Sequence, residues 1–167
     1  MDHVSHIIDL NIVRAYFARQ PDVLVAYLFG SLARGQIHPG SDVDFAVLFD
    51  PSLEGEMLVE RILDLMTDLS DFTSREVQVV ALNLATPLLA FQATSEGILL
   101  YERSQSERIA FQTRAMKIYY DLKPRLDFFN QMMMDRIRET GIDRTTRNDS
   151  RTLEAAQRLS ERLKKLQ

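Results

Sequence analysis

Two aspartates separated by a single valine, Asp42 and Asp44 in SDVDFAVLF, are the residues of this chain best placed to do chemistry. On an extended strand, residues i and i+2 point to the same face. The two carboxylates therefore lie side by side, while Val43 and Phe45 turn the other way into a core. Adjacent carboxylates repel, and each is driven toward protonation unless a cation sits between them. A hard divalent ion is the usual remedy. Mg2+ takes one or two carboxylates and completes its shell with water and phosphate oxygens. Half a metal site is present, and it asks for a phosphorylated ligand. The bland alternative, edge-strand charges beside a serine-rich turn, gains nothing from two like charges on one face.

A place for that ligand precedes the acids. Gly30 and Ser31 close an apolar run, and ten residues separate Ser31 from Asp42. A strand ending in glycine lets backbone approach a phosphate closely, and a following helical turn aims N–H groups at it. The Ser31 hydroxyl adds a hydrogen bond and Arg34 a charge-assisted, bidentate one. If the two strands are neighbours, Ser31 and Asp42 share one cleft. Such a cleft suits metal-assisted attack on a nucleotide phosphate.

The elements that must hold these residues are readable from pattern. Residues 3–19 have near-helical apolar spacing, ended by Gln20-Pro21-Asp22. Val23 to Phe29 is a continuous apolar run of strand length, and SLARG after Gly30 reads as a helical turn. Residues 36–41 are a turn, 42–49 the second strand, 54–69 a helix and 76–82 a third strand. A short helix over 87–94 and a small strand, ILLYE, follow. From Glu107 the chain reads as helix, with a kink expected at Pro124. Gly141 to Ser150 is polar, and 151–166 reads as a narrow-striped amphipathic helix in need of a partner surface.

Bulk properties set outer limits. The chain has 167 residues, 46% hydrophobic and 26% charged, which suits a globular domain with a real core. A net charge of −4 gives no electrostatic reason to hold a nucleic-acid backbone. The absence of cysteine excludes disulfides and thiolate metal sites and fits a reducing compartment. No apolar stretch approaches the roughly 20 residues of a membrane span. The N-terminal sequence lacks the basic flank and cleavage site of a signal peptide. The expectation is a cytoplasmic protein.

Gly-Ser, ten residues, then Asp-x-Asp resembles the signature of the polymerase-β-like nucleotidyltransferases. The small size, the 81–104 stretch ALNLATPLLAFQATSEGILLYERS and the 116–129 stretch MKIYYDLKPRLDFF resemble its minimal nucleotidyltransferase branch, whose members are antitoxins of HEPN-domain toxins. The likeness spans roughly residues 20–135. It implies an α/β (α+β) fold: a small mixed β-sheet flanked by helices, with a long C-terminal helix. It also implies a minimal nucleotidyltransferase domain over 1–140, leaving 141–167 as polar linker and last helix. The implied reaction is transfer of AMP from ATP to a tyrosine hydroxyl of the toxin, with one or two Mg2+ ions. Gly30, Ser31 and Arg34 would hold the nucleotide, and Asp42 and Asp44 the metal. The implied partners are a HEPN toxin and ATP, with no nucleic acid and no membrane; an oligomer is left open.

The third strand departs from the family pattern. Where relatives carry a third carboxylate in V-D-V-V, this chain has Val77-Gln78-Val79-Val80. An amide cannot take a proton from a hydroxyl. Glu76, two residues earlier and on the same face by alternation, is the candidate third catalytic acid beside Asp42 and Asp44, and a solvated strand end is the equal alternative. Two rival functions follow: a nucleotidyltransferase-fold module that neutralises its toxin by binding alone, favoured by Gln78, and a transferase for a small molecule. His38 reads as a solvated loop residue and the His3, His6 pair as surface. Met132 to Met134 after Phe128-Phe129 is either core packing or a partner-binding patch.

Overall fold

The structure, a computed structural model, describes residues 6–38 and 40–140, and of residues 139 and 140 the backbone only. The expected helix over 151–166 and His3 lie outside the described residues. Helix α1 is Leu10–Phe17, followed by β1 (Val23–Phe29), α2 (Gly30–Ala33) and β2 (Val43–Phe49). Then come α3 (Gly55–Ser70), β3 (Val77–Ala81), α4 (Pro87–Glu96), β4 (Ile98–Glu102) and α5 (Gln105–Thr140). The chain divides into two compact units, residues 1–121 and 122–167.

In the first unit the four strands form one sheet in the order β3-β2-β1-β4. The pairs β1–β2 and β1–β4 are antiparallel, whereas β2–β3 is parallel, so the sheet is mixed. The two central strands are covered on both faces, which is why their sequences are apolar at nearly every position. One core contains Val43, Phe45, Val47 and Phe49 with Phe17 of α1 and Leu58, Leu65 and Leu69 of α3. Phe17 meets Phe45 edge-on, centroids 5.9 Å apart. The opposite face packs Leu24, Tyr27, Ala46 and Leu48 with Ala90 and Ala93 of α4 and Ala115 of α5. A parallel pair needs a crossover, and α3 supplies it between β2 and β3.

Local chemistry explains several boundaries. Apolar periodicity starts at residue 4, yet α1 begins at Leu10, because the Asp9 side chain accepts from Asn11 N–H at 2.8 Å and caps the helix there. Helix α4 begins on Thr86 as cap with Pro87 at its first turn, and runs two residues beyond the expected end. Helix α5 continues through Pro124. In the second unit, Phe128, Phe129, Met132, Met133 and Met134 each expose more than half of their surface, so core packing does not account for them. Among the described residues, no helix is long and apolar enough to cross a membrane.

Candidate active site

Register brings the motif together. Phe29, the last residue of β1, is paired with Asp44 of β2, so Gly30 emerges directly beside that carboxylate. Gly30 has φ +74°, a left-handed conformation that side-chain-bearing residues rarely adopt. A Cβ placed there would lie 2.1 Å from Asp44 Oδ2. The glycine is thus required twice, for backbone angle and for space. It opens α2, whose N-cap residue, Phe29, makes no side-chain cap bond. Ser31 is the next residue of that turn and its carbonyl accepts from Gln36 N–H at 2.9 Å.

Asp44 alternates with the buried Val43 and Phe45, on the face opposite the Phe17 core. Burial, and secondarily the negative charge of Asp42, push the Asp44 carboxyl above the ordinary aspartate range, against an opposing pull from Arg34. The pair is therefore short of positive charge, and its oxygen donors fit a hard divalent cation. Among the described residues, no group of three or more His, Asp or Glu could hold a metal. Two protein carboxylates suffice for Mg2+ when phosphate and water supply the rest.

Beside the glycine turn a cleft of about 190 Å3 is lined by Phe29, Gly30, Arg34, Gln92 and Glu96. Arg34 Nη1 stands 3.6 Å from Glu96 Oε2, with both side chains nearly half exposed. Such a bridge is weak and holds the guanidinium without committing it. A larger depression, about 420 Å3, touches none of the motif residues and includes Phe49, Asn83 and Arg114.

On the third strand, Gln78 is paired in parallel register with Asp44, and its Nε2 donates to Asp42 Oδ2 at 3.0 Å. The amide therefore sits against the acid pair. Glu76 lies just before β3; its carbonyl accepts from Val43 N–H at 2.8 Å and its side chain is exposed.

Two features escape a reading of the sequence. Arg75 Nη1 donates to the carbonyls of His38 and Ser41 at 2.9 and 2.8 Å, tying down the loop that delivers Asp42. Ser41 Oγ in turn accepts from His38 N–H at 2.8 Å. Gln92 and Glu96 line the cleft from α4; their i, i+4 spacing marks a shared helix face but not what it faces.

Comparison with known proteins gives the family. The polymerase beta, nucleotidyltransferase family model matches residues 11–106. A protein adenylyltransferase MntA from Aphanizomenon flos-aquae is 29% identical over 109 residues, covering 62% of this chain and 73% of the relative. A second, from Shewanella oneidensis, is 29% identical over 103 residues, covering 62% and 70%. Among solved structures, a toxin-antitoxin crystal structure with AMP-PNP superposes with TM-score 0.58 at 26% identity, covering 75% of this chain and 99% of that one. The fold is shared with one chain of a structure of tri-AMPylated Shewanella oneidensis HEPN toxin in complex with MNT antitoxin, TM-score 0.54 at 21% identity, covering 75% of this chain and 99% of that one. With the matched residues spanning α1 to β4 and the glycine turn packed on the acid pair, this chain belongs to the polymerase beta, nucleotidyltransferase family.

Proposed function

We propose that this chain is a Mg2+-dependent protein adenylyltransferase, the antitoxin of a HEPN-domain toxin, working in the cytoplasm. The observation that carries the reading is the packing of Gly30 on Asp44, which joins the phosphate-approach turn to the acid pair. Likeness to proteins named adenylyltransferases, and to a toxin-antitoxin structure with AMP-PNP, supports the substrate and the partner.

In this reading Gly30 and Ser31 hold the β- and γ-phosphates of ATP, and Arg34 swings from Glu96 to pair with them. Asp42 and Asp44 would hold the divalent cation, which supplies neutralisation of charge on the leaving pyrophosphate when bound. The partner's tyrosine oxygen forms a bond to the α-phosphorus while the bond to the α,β-bridging oxygen breaks. Pyrophosphate leaves with that electron pair, and the phenol proton is released. Glu76 is the candidate acceptor of the proton. A loss of about 100-fold in Glu76→Gln assigns it that role, and an unchanged rate leaves the proton to solvent or to the acceptor protein. The domain reading places this machinery within residues 1–140, with 141–167 outside it.

The test uses the full chain, its neighbouring gene product, Mg2+ and ATP labelled at the α-phosphate. Label on a tyrosine of the partner, absent with γ-labelled ATP and lost in Asp42→Asn, supports the transferase. Neutralisation of the toxin that persists unlabelled in Asp42→Asn supports binding alone, the reading Gln78 favours. Label on a small molecule and none on protein overturns both.

A further inference from the structure

We infer that Gln78 is a positioning residue of the nucleotidyl-transfer site, its amide fixing the Asp42 carboxylate in the orientation that receives a divalent cation. The inference rests on the adenylyltransferase reading and goes beyond it, because it gives a task to the residue that departs from the acidic pattern.

Asp42 needs such a partner. The parallel ladder between β2 and β3 begins at Val43 paired with Val77, so Asp42 stands one residue outside it, at the end of a loop. The backbone on either side of it is held, by Val43 N–H on the Glu76 carbonyl at 2.8 Å and by Arg75 Nη1 on the Ser41 carbonyl at 2.8 Å. Neither of those bonds reaches the Asp42 carboxylate. Gln78, in register with Asp44, reaches across and donates to Asp42 Oδ2 at 3.0 Å. Only the nitrogen end of an amide can face a carboxylate, since the oxygen end would meet another acceptor. The bond engages Oδ2, so Oδ1 would be the oxygen left unengaged by Gln78 for a cation. A carboxylate in place of the amide would repel Asp42 and depend on a cation to hold the three acids together. The amide holds Asp42 before any cation arrives.

The role is separable from simple space-filling. Gln78 is exposed, so its replacement leaves the core intact. Binding of AMP-PNP is measured by calorimetry on the full chain, with saturating Mg2+ and again in EDTA. In Gln78→Ala the gain in affinity conferred by Mg2+ falls about tenfold, as expected for loss of a hydrogen bond to a charged group at a solvated site. Affinity in EDTA and the melting temperature of the metal-free protein stay at wild-type values. Gln78→Met, which keeps the length and bulk but has no donor, behaves like the alanine variant. Wild-type Mg2+ response in Gln78→Met overturns the inference alone. A wild-type chain with no Mg2+-dependent gain overturns the adenylyltransferase reading and this inference with it.

Discussion

Replacing Gly30 with alanine should separate the two demands placed on that residue, because Gly35 supplies an internal control. Both glycines have positive φ, +74° and +69°, so each alanine variant must hold a left-handed backbone. That strain costs about 1–2 kcal/mol. For a chain of this size it lowers the melting temperature by roughly 2–8 °C. A Cβ at Gly35 meets nothing within 4 Å, and strain is its whole penalty. At Gly30 the added carbon falls 2.1 Å from Asp44 Oδ2, where ordinary contact begins at 3.4 Å. The carboxylate must therefore retreat by about 1.3 Å, the difference between those two distances. A displacement of about 1 Å at reacting groups costs on the order of 100-fold in rate. Gly30→Ala should thus lose about 100-fold in AMP transfer and Gly35→Ala almost none; both share the strain cost in melting temperature, and any further loss at Gly30 comes from the displaced carboxylate. Both are read by incorporation of α-labelled phosphate and by thermal denaturation. Equal transfer rates in the two variants would refute the reasoning, since the Gly30–Asp44 contact would then have no bearing on the reaction.

Other expectations follow from the same geometry. The Asp44 carboxyl is raised in the fold, so its contribution to stability is complete in acid and is lost as pH rises through the raised value. Metal-free Asp44→Asn should match the wild type in stability near pH 3 and exceed it at pH 7 by less than about 1 kcal/mol, because the side chain is half-buried; a variant less stable at pH 7 would contradict this. Arg75→Ala frees the loop before Asp42, and transfer should fall about tenfold with a melting-temperature loss under about 4 °C. Asn83 bonds both the N–H and the carbonyl of Phe49, at 2.9 and 3.0 Å, so Asn83→Ala should cost about 2 kcal/mol while leaving AMP-PNP affinity unchanged.

Much of the site was legible in the residues themselves. Alternation alone puts Asp42 and Asp44 on one face, and the apolar runs of β1 and β2 mark central strands. What alternation cannot supply is register between strands. Gln78 and Glu76 share a parity, and only the parallel pairing of Asp44 with Gln78 shows that the amide is bonded to Asp42. Arg75 reads as an ordinary surface charge, because its partners are backbone carbonyls 34 and 37 positions away and leave no side-chain signature. Apolar spacing overruns the start of α1, because it begins at residue 4 whereas Asp9 caps the helix.

The antiparallel pairing of Phe29 with Asp44 has a consequence for recognising such sites elsewhere. What joins glycine to carboxylate is a rung of the β-ladder, not the length of chain running out and back between them. That excursion closes on itself like a hairpin, and lengthening a loop is cheap, about 0.6 kcal/mol for each doubling. A spacing of ten residues is therefore one loop's habit rather than a chemical necessity. Sequences with shorter or longer excursions can build the same pocket, unseen by any search that counts residues instead of rungs.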